Sequence, residues 1–467
     1  MKLLSLLALA GLSSITAAQN STNFNTTLNS TLSTTGPRNV RIDTGTYGPE
    51  VEEFHYYYDQ WPIGLAVSKT GRTFVCYTRG TYAYTLGEVV NKTAEKAYPS
   101  QALNTPPGGL FTTTNGIQFG SNDPNTFISV QALYITPDDT LWVLDTGRPT
   151  INESQAPSMP YAAPGGPKLV AINLSNDSIA RTYTLPADVH YPDSYVNDLR
   201  FDMRPNVTES GGGIAYIVDS SNEGRTGFIM IDLGTGETWR QLTQHPSTLR
   251  TYADVPSYQG IPFYLRQKGS PLGFQQEGLD GAELSLYGDI MYYSPLTSDY
   301  LFSIETQYLR SDPSNDTLSA KRAFDNVKNL GQRGGNANGF SSDSLGNVYM
   351  LMPSQNAIYI YNSTTLQAEP YVRDPRIIWP DSANVGFDGY IYFNINQLPY
   401  QPDWNDGVDG RSYPGLILRN SDDKPSKDEG EYVQSERRDK IQIFIPHVYL
   451  LSTPCPMILC NIPKTPM

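Results

Sequence analysis

The sequence predicts an all-β chain folded as a six-bladed β-propeller with a central ligand funnel. Three observations predict it. One hairpin pattern recurs six times along the chain. The copies lie roughly 45 to 80 residues apart, the interval of a four-stranded blade with variable loops. Tyrosine is unusually frequent, at 32 of 467 residues, which suits β-strands and an aromatic-lined pocket.

In chain order, the opening "MKLLSLLALAGLSSITAAQN" has one lysine, an apolar run from Leu3 to Leu12, and small residues at Thr16 and Ala18. That is the pattern of a secretory signal peptide over residues 1–18; a buried first helix is the weaker reading, because no amphipathic period follows. Residues 19–43 are rich in Ser, Thr and Asn without apolar periodicity, and read as a disordered, glycosylated leader. The six copies then run "TGRTFVCYTRG" from Thr70, "DDTLWVLDTGR" from Asp138, "GGGIAYIVDSSNEGR" from Gly211, "YGDIMYYSPLTSDY" from Tyr287, "LGNVYMLMPSQNA" from Leu345 and "FDGYIYFNINQL" from Phe387. Each has a Gly, Asp or Asn turn followed by alternating aromatic and aliphatic residues, which is hairpin chemistry. Each follows a short apolar strand, as "IGLAVS" precedes the first and "ALYITP" the second. A blade alone leaves two apolar faces open, so the ring must close, as one domain over residues 44–420. A β-sandwich is disfavoured because it does not repeat one hairpin six times. Residues 421–467 read as an irregular tail. Its prolines break any membrane span, and Lys464 argues against a glycolipid-anchor signal.

Composition narrows the function. A formal net charge of −14 and a pI near 4.8 make nucleic acid and anionic membrane poor partners. Three cysteines do not make a disulfide scaffold. Cys455 and Cys460 could close a small loop, and Cys76 reads as a buried thiol. Among the histidines, His55 reads as packing, His245 sits in a turn and His447 in the tail. No spacing of a metalloprotease, serine hydrolase, redox or nucleotide-binding motif occurs, so no cofactor is expected. The sequons at Asn20, Asn25, Asn29, Asn91, Asn152, Asn173, Asn176, Asn206, Asn315 and Asn362 point to a secreted glycoprotein whose glycosylated sites are exposed. Asp145 recurs as Asp219 in the next copy and as Ser294 in the one after. It is therefore expected to cap the loop beyond its strand, not to perform chemistry.

The stretches "YDQWPIGLAVSKTGRTFV", "LWVLDTGR", "YVNDLRFD", "GIAYIVDSS", "GLDGAELSLYGDIMYYSPLTSDYLFSI", "SDSLGNVYML" and "GYIYFNINQL" occur in this order between Val51 and Leu398. Together they resemble the Yellow/major royal jelly protein family. The cysteine pattern of the insect members is missing, and the Ser/Thr-rich leader resembles those of fungal secreted proteins. The resemblance implies a propeller with a ligand pocket in its funnel. It also implies a choice of functions: a non-catalytic carrier of small amines or sterols, an isomerase of the dopachrome-conversion type, or, as in some fungal Yellow-like proteins, a hetero-Diels–Alderase. That last activity joins a tropolone o-quinone methide to a humulene-type alkene in tropolone-sesquiterpenoid biosynthesis.

The loops entering the innermost strands should ring the channel, and they carry Gln131, Asn197, Asp198, Asp280, Asn336, Asn338, Asp381 and Asn384, with His190, Tyr191, Arg333 and Trp379 just ahead of them. One reading has these groups tie neighbouring blades through backbone bonds. A second has Asn197, Asp280 and Asn338 hold a calcium-type cation, as in lactonase-type propellers; no acidic pair recurs in that pattern, so no metal is expected. The third, adopted here, is an organic pocket. For a quinone methide, the expected catalytic donors are Arg333, His190 and Asn197. The expected ligand contacts are Tyr191, Asp198, Asp280, Asn336, Asn338, Trp379 and Asp381.

Overall fold

The computed structural model describes residues 42–151 and 158–421. The signal peptide, almost all of the leader, Asn20, Asn25, Asn29, Asn152, His447, Cys455, Cys460 and residues 422–467 lie outside the described residues. The chain divides between Thr44 and Gly45, and the second unit carries all the described strands.

Six four-stranded antiparallel sheets follow one another. Blade 1 is Gly64–Val67, Thr73–Cys76, Leu86–Asn91 and Ala94–Ala97. Blade 2 is Val130–Thr136, Thr140–Asp145, Lys168–Asn173 and Ser178–Thr184. Blade 3 is Val196–Asp202, Ile214–Asp219, Gly227–Asp232 and Thr238–Gln241. Blade 4 is Leu279–Leu284, Ile290–Pro295, Tyr300–Glu305 and Lys328–Gln332. Blade 5 is Phe340–Ser342, Asn347–Met352, Ala357–Asn362 and Gln367–Arg373. Blade 6 takes Pro380–Val385, Tyr390–Ile395 and Gly415–Ser421 from the end of the chain, and its outer strand, Glu52–Tyr57, from the beginning. The ring is thus latched by its own two ends.

The repeated turns do what their residues allow. Gly71, Asp139, Gly213, Gly288, Gly346 and Gly389 all adopt positive φ where the first strand of a blade turns into the second; Gly tolerates that region and Asp is enriched there. The second strands are apolar on both sides because each blade is covered by two neighbours. Six apolar clusters correspond to the six blade junctions. Phe74, Leu133 and Val143 pack between blades 1 and 2, and Trp142, Leu144 and Ile217 between blades 2 and 3. At the closing junction Leu65, Val75, Tyr392 and Ile417 pack together with Tyr57 of the latching strand.

The second strand of blade 2 ends on Asp145, whose carboxylate accepts the N–H groups of Ile128 (2.7 Å), Ser129 (2.9 Å) and Gly147 (2.9 Å) and pairs with Lys168 Nζ at 3.1 Å. Asp219 repeats the device in blade 3, accepting from Ser194 Oγ (2.6 Å) and Tyr195 N (2.9 Å) and pairing with Arg240 at 2.8 Å. Asp145 is a fully buried loop clamp.

Candidate functional site

The innermost strands carry their polar residues into the channel through a local irregularity. In blades 2, 3, 4 and 6 the register between first and second strands slips near the start of the innermost strand, across Gln131, Asn197–Asp198, Asp280 and Asp381–Ser382. A bulge of this kind frees a residue from the ladder and re-aims its side chain. The result is an upper tier of Gln131, Asn197, Asp280, Asn338 and Asp381 lining one cavity, with Asp198, Arg200, Glu283, Ser341 and Asn384 below it.

Amides orient the two upper carboxyls. Tyr195 OH donates to Gln131 Oε1 at 2.5 Å, Gln131 Nε2 donates to Asn197 Oδ1 at 2.6 Å, and Asn197 Nδ2 donates to Asp280 Oδ1. On the other side Asn338 Nδ2 donates to Asp381 Oδ1. Neither Asp280 nor Asp381 has an ion-pair partner among the described residues. Burial, followed by the charges of Glu277, Asp381 and Asp198, raises the Asp280 carboxyl well above its usual range. Burial likewise pushes Asp381 up to about 7, against the Asn338 bond and with the help of Glu277. Glu277, at the mouth, is also raised to about 7 by burial, partly countered by its bond from Gln275. Near neutral pH Asp381 and Glu277 are therefore only partly ionised.

Below the tier, Arg200 reaches from blade 3 across the channel. Its Nε donates to Glu283 Oε2 at 2.8 Å, Nη1 to Asp198 Oδ1 at 2.6 Å and Nη2 to the Phe340 carbonyl of blade 5 at 2.5 Å. Burial opposes its charge, and the two carboxylates more than restore it. The channel is therefore stoppered, and the free space within the ring is about 40 Å³, room for roughly three water molecules.

A cover spans the mouth. Two short hairpins, Ser257–Tyr258 with Ile261–Pro262 and Tyr264–Leu265 with Gly273–Phe274, come from the loop before blade 4. Between them Phe263 stacks on Trp404 of the blade 6 loop (4.9 Å, 13°) and leans on Trp379 (4.7 Å). Backbone bonds of 2.7 Å from Arg266 N to Asp403 O and from Asp406 N to Arg266 O tie the two loops. The cover borders the carboxyl set, because the charge of Asp403 acts on Glu277, and that of Glu277 on Asp280 and Asp381.

The structure thus brings five of the ten expected contact residues to the channel: Asn197, Asp198, Asp280, Asn338 and Asp381. It places the other five elsewhere. Arg333 is buried with its guanidinium donating to the carbonyls of Tyr300, Ser298 (2.8 Å) and Pro295 (3.5 Å), and burial lowers its pKa to about 9. Asn336 ties the same loop, donating to Asp254 Oδ2 (2.5 Å) and the carbonyl of Leu296 (3.0 Å). Trp379 is buried under the cover at φ 58°. Tyr191 lies with Arg225 and Arg240 within 4.3 and 4.7 Å of its ring centre. His190 is buried near Arg148, Arg240 and Asp219, and burial lowers its pKa to about 4. Sequence reasoning missed Arg200, Glu283 and Glu277. For Arg200 and Glu283 the signal was a charge inside a largely apolar strand, as in "DLRFD" and "GAELSL"; Glu277 lies in the loop before its strand.

Among the described residues no group of three or more His, Cys, Asp or Glu side chains is placed to hold a metal ion, and no helix is long and apolar enough to cross a membrane. The sequons at Asn91, Asn173, Asn176, Asn206 and Asn315 are exposed, and Asn362 is half-buried.

Several solved propellers are similar in outline. The luciferin-regenerating enzyme is 12% identical with a TM-score of 0.43, over 80% of this chain and 96% of that one. Regucalcin of Agrobacterium tumefaciens, a calcium-binding protein, is 10% identical with a TM-score of 0.43, over 79% and 93%. Likeness at this level carries nothing about chemistry. In sequence, the yellow proteins of Drosophila melanogaster and Drosophila yakuba are each 27% identical over 235 residues, which is 48% of this chain and 38% of theirs. The chain thus matches well under half the length of these relatives. Residues 128–383 match the family model described as major royal jelly protein. That match covers more than half of the sequence, and the chain belongs to the major royal jelly protein family.

Proposed function

We propose that the protein is a secreted small-molecule carrier that binds an organic amine at the channel mouth, with Asp280 and Asp381 as the groups that hold the ammonium. One observation carries this reading. Two buried carboxyls converge on one cavity, each fixed through one oxygen by an amide and neither in an ion pair among the described residues, while Arg200 in the same lining is engaged by Asp198 and Glu283. A buried carboxylate without a partner is costly, and a ligand ammonium supplies the missing charge. The cavity takes little beyond the charged head, so the ligand's aromatic body would lie under the cover against Phe263 and Trp379, where displacing the hairpins makes room.

The same carboxyls support a second reading, hetero-Diels–Alder catalysis on a quinone methide. A carboxylic acid kept neutral near pH 7 donates a hydrogen bond, and a bond to the diene carbonyl would accelerate cycloaddition with a humulene-type alkene. Arg333 and His190 have no place in this version; the donor is Asp280 or Asp381.

Calorimetric titration of the purified chain with an aromatic monoamine tests the carrier. Binding that falls at least tenfold in Asp280→Asn and Asp381→Asn supports it, and equal affinity in all three proteins contradicts it. Incubation with a quinone-methide precursor and humulene, read by chiral chromatography, tests the second reading: a product mixture identical to the enzyme-free control sinks it. Passage through the secretory pathway is tested by glycosidase treatment, which should lower the apparent mass of the native product.

A further inference from the structure

Two loops on the channel-mouth face differ from the rest of this acidic chain. From Ala97 to Asn122 there is no charged residue at all, and from Val255 to Gln276 the only charges are Arg266 and Lys268. Both loops feed an innermost strand, the first that of blade 2 and the second that of blade 4, so both lie on the same face of the ring. Each folds into hairpins whose apolar side chains point outwards. Phe111 and Ile117 of the first are 41% and 47% exposed; Ile261, Leu272 and Phe274 of the second are 59%, 61% and 49% exposed. Arg266 and Lys268 are exposed and have no ion-pair partner among the described residues. A soluble surface rarely gathers large apolar side chains in this way without a use for them.

We infer that this face docks on a lipid surface containing anionic headgroups, with Leu272, Phe274 and Ile261 entering the headgroup layer and Arg266 and Lys268 pairing with phosphates. Convex hairpin tips carrying apolar residues beside unpaired cations match the two layers of such an interface. The net charge of −14 opposes approach to an anionic membrane, so docking there would depend on the acid-free stretch from Val255 to Gln276. Docking would bring the channel cover, of which these hairpins are part, against the membrane; the docking itself does not depend on which ligand the channel takes.

The test is cosedimentation of the purified full chain with vesicles of phosphatidylcholine alone and of phosphatidylcholine with one third phosphatidylserine. The protein is expected to pellet with the anionic vesicles. The double variant Leu272→Asp/Phe274→Asp should remain in the supernatant, as should Ile261→Asp in larger part, with melting temperatures unchanged because all three side chains are exposed. Arg266→Gln/Lys268→Gln should partition about thirtyfold more weakly, as expected for two cations close to an anionic surface. Failure of the unaltered chain to pellet would overturn the inference and leave the face to a protein partner. Equal pelleting with both vesicle types, or of the Leu272→Asp/Phe274→Asp variant with anionic vesicles, would also overturn it.

Discussion

Asp145→Asn should unfold the protein more easily without touching its binding site. The carboxylate is fully buried and Lys168 is 1% exposed, so the substitution leaves a buried ammonium facing an amide. Breaking a buried pair from one side costs about 3 to 5 kcal/mol. The amide can also offer only one acceptor oxygen where two now serve Ile128, Ser129 and Gly147, and an orphaned buried N–H adds about 1 kcal/mol. With unfolding entropy near 2.1 cal/mol/K per residue, a loss of this size lowers Tm by about 5 °C in a propeller of these dimensions. Differential scanning calorimetry reads the shift, and ligand titration on the folded protein reads the site. The double variant Asp145→Asn/Lys168→Met should recover part of the loss, because it removes the stranded charge. Lost ligand affinity at an unchanged Tm would refute the clamp and return Asp145 to the candidate site.

Arg333→Ala should behave in the same way, lowering Tm by about 4 °C through its lost carbonyl bonds while ligand affinity stays within about twofold of wild type; affinity lost without a Tm change would restore Arg333 as a ligand contact. The carboxyl set should also make stability fall with rising pH. Asp381 and Glu277 have folded pKa values near 7, above their usual 3.8 and 4.5, so the folded state favours their protonated forms and loses stability as pH rises through 7. His190 acts oppositely, because its folded pKa near 4 lies below 6.5, and it destabilises only below pH 6.5. Between pH 6.5 and 8, therefore, Tm should decline in wild type and decline less in Asp381→Asn; a flat wild-type profile would contradict the raised values.

The hairpins were legible because strand alternation and turn residues are local properties, and six copies leave little freedom in how they assemble. The latch was not. Glu52–Tyr57 belongs to blade 6 through pairing with Gly415–Ser421, a contact across the whole chain that no local pattern announces. The same divide separates the site residues. Asn197, Asp280 and Asp381 sit in bulges at strand starts, a position that repeats and so is readable. Arg333 and Tyr191 lie in loops of irregular length, where proximity in sequence to a channel residue says nothing about direction. Arg333 looked like the one cation available to a ligand; three backbone carbonyls consume it. Arg200, the cation that does line the channel, was hidden inside an apolar strand.

The measurement that bears most directly on the site is the pH dependence of affinity for an aromatic monoamine between pH 5.5 and 8.5, in wild type and in Asp381→Asn. If the channel carboxyls hold the ammonium, affinity rises as pH passes through about 7, where Asp381 and Glu277 ionise, and the rise is much reduced in the variant. Affinity that is flat across this range, or that falls as the carboxyls lose their protons, would contradict the assignment of Asp280 and Asp381 as the ammonium site.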